Sequence, residues 1–441
     1  MPVARGQKHS LYAGLVLTMA LDIFKITGPV RLDGEVTISG SKNSALPIMA
    51  ATILAAGKNT LRGVPQLSDI AVMCKLMEEM GCKTGTAGGT ITLDTTNIDK
   101  PFGDYEIVRK MRASICILGP LLARCGKVEV SMPGGCAIGY RPVDIHLRGL
   151  QELGAKIELK NGYISATANG GLKGANIFLG GPFGSSVLAT ANVLCAATLA
   201  KGKTIIEYAA CEPEITDLAN CLVKMGAKIT GIGSPQLTIH GVKELKPIEH
   251  TVIPDRIEAG TFMAAAAITK GKLKIKNCRT DHLMAAIDKL RSMHIGVEEN
   301  DDGCVVWADG NIAPTDITTL PYPGFPTDLQ AQFMAVLCLA KGNSVITEKI
   351  FPDRFMHVAE MSRMAAHLRK EGPHVIVSGV EKLIAAPVMA SDLRASAALV
   401  VAALAAHGET IVNRVYHIDR GYERIEEKLN AAGAKIERQS V

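Results

Sequence analysis

The sequence predicts an α/β protein of two similar domains, each with three βαβαββ-like repeats, helices inside and sheets outside. Three observations lead there. The chain has 441 residues, too many for one ordinary core. One pattern recurs six times: an Ala-rich helical run, a closing glycine, then a β-rich run. The helical runs, such as Ala264–Ile268 and Ala395–Ala406, are apolar nearly all round. A helix of that kind has to be buried.

The six instances are Ala50–Gly57–Leu61, Leu121–Gly126–Val130, Ala196–Gly202–Ile206, Ala264–Gly271–Ile275, Ala335–Gly342–Ile346 and Ala402–Gly408–Val412. Their glycines lie 69, 76, 69, 71 and 66 residues apart, a spacing that suits a compact unit rather than a solenoid. Glycine closes a helix well because it adopts the left-handed conformation without a Cβ penalty. Most units hold a second helix with its own stop, at Gly81, Gly154, Gly226 and Gly433. Units four and five place His294 and Ala365 near that position instead. Each unit reads as strand, helix, strand, helix, strand, strand. Six units divide into three and three, with a crossover near Ile253–Asp255. A doubly wound sheet is the alternative architecture.

Composition excludes several classes. A net charge of +5 is too mild for a dedicated nucleic-acid binder, and 4 % aromatics leave little for base stacking. A small positive excess still suits a small, highly anionic substrate. The eleven cysteines run from Cys74 to Cys338 with no CxxC spacing, so neither a disulfide framework nor a zinc site is expected. That usage fits a reducing compartment, the cytoplasm. Arg5 and Lys8 precede an apolar stretch, Leu11–Leu17, that faintly resembles a signal peptide. Asp22 interrupts it, and it is shorter than the ~20 residues that span a bilayer. Residues 1–18 are read as an extension, with the folded part beginning at Met19.

Chemistry is expected in the loops, where polar residues interrupt the apolar pattern. Ser39-Gly40-Ser41-Lys42-Asn43-Ser44 places amide donors and an ammonium at a helix start: an anion cradle, or a capping turn with a solvated lysine. Arg112 precedes an apolar helix and either forks onto a phosphate or lies on the surface. Pro133–Asp144 is Gly-rich and carries Cys136, with Arg141 close by. An exposed thiol beside an arginine has the setting for a lowered pKa and a reactive role; the bland alternative is a small buried hydrophobe. Asp328, between a Pro-rich loop and a helix, is a helix cap or a general base. Asp255-Arg256, Asp353-Arg354, Asp392-Leu393-Arg394 and Asp419-Arg420 repeat an acid–arginine pairing. They read as structural ion pairs or as the lining of an anion site between the halves.

Lys42-Asn43, Met111–Ile115, Pro133–Asp144, Glu212–Ile215, Pro326–Asp328, Arg354–Val358, Ser391–Ser396 and His417–Glu423 resemble, in this order, the UDP-N-acetylglucosamine 1-carboxyvinyltransferase family of enolpyruvyl transferases. The likeness runs from about Phe24 to Glu437. It implies an inside-out α/β barrel, or inverted prism, with one domain at 19–40 plus 252–441 and the other at 41–251. It implies phosphoenolpyruvate and UDP-N-acetylglucosamine as substrates, in the first committed step of peptidoglycan synthesis, with no cofactor and no metal.

Residue by residue, the resemblance implies that Cys136 donates a proton and Asp328 is the base at the sugar hydroxyl. Lys42, Arg141 and Arg420 surround phosphoenolpyruvate, with Arg354 and Arg394 nearby. Arg112, Arg141, Pro142, Val143, Asp144 and Ile145 match nucleotide-sugar contacts, and Asn43 borders both substrates. Ser186, Val187, Ile350 and Asp392 complete the implied binding set. An epoxide mimic of phosphoenolpyruvate, such as fosfomycin, is expected to alkylate Cys136. The family's Lys-Val-Ser-Val-Gly segment aligns with Gly184-Ser185-Ser186-Val187-Leu188, so its lysine is absent here. Two alternatives remain: a shikimate-pathway synthase of the same fold, against which Pro133–Asp144 argues, and a silent nucleotide-sugar-binding paralogue. Oligomeric state is not legible.

Overall fold

A computed structural model describes residues 22–133 and 143–440. The extension expected at 1–18 lies outside the described residues. Two separate buried apolar clusters form. One draws on residues 24–38 and 257–436, the other on residues 45–252.

Each cluster has three apolar helices at its centre. In the first these are Arg256–Ile268, Gln330–Leu337 and Leu393–Ala405, which pack against one another. Every residue of Arg256–Ile268 after Arg256 is buried. In the second, Leu118–Cys125 and Lys42–Ala51 both pack on Val187–Thr198. Alanine explains why such helices sit inside. It is the strongest helix former, and its small side chain lets helix backbones approach.

The sheets lie outside, as expected from the repeat. Phe102–Gly103, Leu118–Cys125, Lys127–Ser131, Asp144–Glu152, Lys156–Lys160 and Tyr163–Thr167 follow the strand, helix, strand, helix, strand, strand order. The first two strands pair in parallel and the remaining pairs are antiparallel. Residues alternate between core and solvent along many of the strands, as with buried Leu273 and Ile275 in Lys272–Lys276.

The irregular units keep the common geometry. Gly81, Gly154, Gly226 and Gly433 close their helices with φ of 103°, 91°, 108° and 97°. His294 and Ala365 adopt φ of 66° and 63° at the equivalent stops. The turn survives there without glycine, at a modest steric cost.

The chain crosses between the halves twice. Ile23–Gly28 pairs with Ala406–Asn413 and Ile436–Gln439, and Asp33–Thr37 lies parallel to Lys272–Lys276. Before the chain returns, Glu249–Thr251 pairs in parallel with Lys58–Arg62 of its own half. The crossing strands hold each other: Ser41 N–H donates to the Ile253 carbonyl at 2.7 Å, and Asp255 N–H to that of Ser39 at 2.8 Å.

Among the described residues no helix is long and apolar enough to cross a membrane. The ten described cysteines are all free. Burial pushes the thiols of Cys74, Cys116, Cys221 and Cys338 up to about 12, so they remain protonated and inert.

Candidate active site

Two ionic clusters form where the halves meet. The first begins at the crossing. Ser41 caps the helix Lys42–Ala51, its Oγ accepting from Ser44 N–H at 3.3 Å. Lys42 therefore sits at the first helical position. It is not the solvated lysine of a simple capping turn: only 5 % of it is exposed. Its Nζ donates to Asp69 Oδ2 at 2.9 Å, and Arg420 Nε donates to Asp69 Oδ1 at 3.0 Å. Burial would raise the Asp69 pKa, but Lys42 and Arg420 outweigh it and hold the carboxyl below the usual range.

The second cluster centres on Asp328. This residue does not cap a helix. Pro326 and Leu329 occupy the capping positions of the short turn Thr327–Leu329 and the helix Gln330–Leu337. The Asp328 carboxylate instead accepts from Arg354 Nη1 at 2.7 Å and Arg394 Nε at 3.3 Å. Burial opposes ionisation, yet Arg354 and Arg394 hold Asp328 well below the usual carboxylate range. Arg394 is 1 % exposed and lies 5.2 Å over the Tyr422 ring. Asp392 is the N-cap of Leu393–Ala405: its Oδ1 accepts from Arg394 N–H at 2.9 Å and Ala395 N–H at 3.1 Å.

The repeated acid–arginine neighbours do not pair with each other. Arg256 forks onto Glu214 of the other half, at 3.0 and 3.3 Å. Arg354 and Arg394 go to Asp328, Arg420 goes to Asp69, and Asp419 goes to Arg438. Adjacent residues of opposite charge thus tie together segments distant in sequence. His417 joins the clusters. It is half-buried, and burial and the field of Arg420 lower its pKa while Asp392 opposes this.

Other expected residues lie on elements between Lys42 and Thr198. Asn43 is half-buried beside Lys42. Arg112 is half-buried at the start of the turn Arg112–Ile117. Val143 is buried, Asp144 begins the helix Asp144–Glu152, and Ile145 reaches Gly181. Ser186 caps Val187–Thr198, its Oγ accepting from Ala189 N–H at 3.4 Å. Cys136, Arg141 and Pro142 lie outside the described residues.

Gly184 accounts for the missing lysine. It has φ of +102°, and a Cβ there would meet Pro321 Cγ at 2.7 Å. The backbone turns against a loop of the other half, where a side chain has neither the conformation nor the room.

Sequence reasoning missed two site residues. Asp69 looked like an acidic first-turn residue of the helix Ser68–Glu79, and nothing local pointed to Lys42 or Arg420. Glu348 is fully buried and binds Thr319 Oγ1 at 2.7 Å, Thr327 Oγ1 at 2.9 Å and the Ile350 and Phe351 amides at 2.8 and 3.0 Å. It fixes Ile350 and the turn that carries Asp328. Its signal was a lone acid among β-rich residues, which carries no partner information.

The EPSP synthase (3-phosphoshikimate 1-carboxyvinyltransferase) family profile matches residues 26–429. UDP-N-acetylglucosamine 1-carboxyvinyltransferase of Granulibacter bethesdensis is 52 % identical over 423 residues, 95 % of this chain and 99 % of that one. UDP-N-acetylglucosamine 1-carboxyvinyltransferase 2 of Carboxydothermus hydrogenoformans is 53 % identical over 422 residues, 95 % of this chain and all of that one, 100 %. The enolpyruvyl transferase NikO from Streptomyces tendae shares the fold at TM-score 0.87 and 24 % identity, over 96 % of this chain and 100 % of its own. EPSP synthase from Acinetobacter baumannii does so at TM-score 0.73 and 18 % identity, over 95 % of this chain and 100 % of its own. With half its residues shared along nearly its whole length, the chain belongs to the enolpyruvyl transferase family, among the UDP-N-acetylglucosamine 1-carboxyvinyltransferases.

Proposed function

We propose that this protein transfers the enolpyruvyl group of phosphoenolpyruvate to the 3-hydroxyl of UDP-N-acetylglucosamine with release of phosphate, in the cytoplasm, as the first committed step of peptidoglycan synthesis. The observation that carries the reading is the identity of about half the residues over 95 % of the chain with relatives of that name. The proposed domains are 19–40 plus 252–441, and 41–251; the separation of the two apolar clusters supports a division into two.

The reaction is an addition followed by an elimination. Cys136 gives a proton to C3 of phosphoenolpyruvate as the sugar hydroxyl oxygen bonds to C2. The hydroxyl proton passes to Asp328. The tetrahedral ketal then loses phosphate as a C3 proton returns to the Cys136 thiolate and the Asp328 proton leaves to solvent, giving the enol ether. Lys42, Arg141 and Arg420 hold the phosphate and carboxylate and stabilise the charge that develops as the C–O bond breaks.

Arg354 and Arg394 give Asp328 an unusual character for a base. A carboxylate held so far below its ordinary pKa takes no proton from a resting hydroxyl. It accepts a hydrogen bond, orients the oxygen, and receives the proton only as bond formation makes that oxygen acidic. Asp392 serves by orienting Arg394 at the helix start. Arg112, Pro142, Val143, Asp144, Ile145, Ser186 and Val187 line the nucleotide-sugar side, with Asn43 and Ile350 between the substrates.

The test is phosphate release from phosphoenolpyruvate with UDP-N-acetylglucosamine, beside shikimate 3-phosphate as the other acceptor. Release with the nucleotide sugar alone is expected. Cys136→Ala is expected to lower kcat by about 10²–10⁴, as for removal of a general acid. Fosfomycin is expected to add covalently at Cys136, read by intact mass. Release with neither acceptor overturns the reading.

A further inference from the structure

Lys42 and Arg420 are the cations on which the proposed function places the charge of phosphoenolpyruvate, and the structure shows both already engaged. Asp69 Oδ2 lies 2.9 Å from Lys42 Nζ, and its Oδ1 lies 3.0 Å from Arg420 Nε. One carboxylate thus spans a cation from each half of the chain. We propose that Asp69 is an internal counter-anion: it occupies the anion site when no substrate is bound, and an incoming phosphate must exchange for it.

Three features support this. Asp69 sits in the first turn of Ser68–Glu79, but Leu67 is the capping position and makes no side-chain cap bond. The described contacts of the Asp69 side chain go to the two cations, not to its own helix amides. Second, Lys42 is nearly buried, and a buried ammonium without a counter-charge is costly. A carboxylate is therefore needed while the site is empty, and becomes surplus once a dianion arrives. Third, the site is accessible to exchange, because the Arg420 side chain is 33 % exposed. Lys42 and Arg420 also lower the Asp69 pKa, which favours the ionised form that competes.

A scaffold role predicts the opposite sign. If Asp69 only held Lys42 and Arg420 in place, removing its charge would loosen them and weaken anion binding. If it competes, removing its charge strengthens binding. The experiment is calorimetric titration of the full-length protein with inorganic phosphate. Asp69→Asn is expected to bind phosphate about tenfold more tightly than the parent, the scale of one partly buried charge interaction. Asp69→Glu restores the charge and is expected to return affinity towards the parent value. Equal or weaker phosphate binding by Asp69→Asn overturns the proposal.

Should Asp69→Asn fail to fold, the parent protein labelled with carboxyl ¹³C aspartate gives the answer. The Asp69 carboxyl resonance, assigned by its loss in Asp69→Glu, is expected to move on phosphate saturation. An unmoved resonance at saturation overturns exchange. The inference rests on the placement of phosphoenolpyruvate at Lys42 and Arg420, and the two fail separately. Tighter phosphate binding without competition against phosphoenolpyruvate upholds exchange and removes that placement. Competition in the parent with no gain in Asp69→Asn keeps the placement and removes exchange.

Discussion

The two ionic clusters use the same chemistry to different ends. Asp328, Arg354 and Arg394 all belong to one half, and the Asp328 side chain is 26 % exposed. The residues of this cluster lie in the turn Thr327–Leu329, just before the helix Met356–Arg363 and at the start of Leu393–Ala405, all on one core. Lys42 and Asp69 lie in one half and Arg420 in the other. That cluster exists only while the halves are together. The first presets the direction of a carboxylate; the second ties the two halves together through one carboxylate.

The largest expected effect comes from breaking the rigid cluster. Asp328→Asn is expected to lower kcat by about 10²–10⁴, read by steady-state phosphate release, with a smaller change in KM for phosphoenolpyruvate. Arg394→Met leaves Asp328 with Arg354 alone and removes the guanidinium over Tyr422. Breaking a buried pair from one side costs about 3–5 kcal/mol, and the surviving arginine puts this variant near the lower figure. Chemical denaturation is the measurement, and an unchanged midpoint refutes it.

The pH dependence has a fixed sign. Asp328 is held below its unfolded pKa, so its stabilising contribution is complete above pH ~4 and is lost as pH falls through the folded value. Melting temperature is therefore expected to carry no Asp328 signature between pH 5 and 8. Below that window the parent is expected to lose stability faster than Asp328→Asn.

Much of this was legible from sequence, for identifiable reasons. Buried helices announced themselves through Ala264–Ile268 and Ala395–Ala406, because an all-round apolar helix has one place to go. Lys42, Arg354, Arg394 and Arg420 stood out as charges in loops near helix starts. Their partners did not. Asp69 lies 351 residues from Arg420, and Asp328 lies 66 from Arg394. Pairings of that kind depend on how two repeats are rotated against each other, which no local spacing encodes. His294 and Ala365 misled in the other direction: the sequence lacked glycine, yet the backbone kept the left-handed turn. Gly184 was the most deceptive. It reads as a missing lysine, whereas its φ of +102° and the Pro321 contact leave a side chain neither conformation nor room. Gly184→Lys is expected to destabilise by about 1–3 kcal/mol through backbone strain, without tightening nucleotide-sugar binding.

The smallest effect tests whether the cluster between the halves depends on its helix start. Ser41 caps Lys42–Ala51 with one bond of 3.3 Å, whereas Asp392 caps Leu393–Ala405 with two near 3.0 Å. Loss of a cap costs about 1 kcal/mol. Ser41→Ala loses that one long bond, while the buried helix that carries Lys42 stays packed. KM for phosphoenolpyruvate is therefore expected to rise only a few-fold, with kcat retained. Asp392→Ala removes two bonds and a negative charge beside Arg354, with nothing else to hold the Arg394 amide. It is expected to lower kcat as well as stability. Equal effects from the two cap variants, in paired denaturation and steady-state measurements, would mean that the cluster between the halves is as dependent on its helix start as the one within.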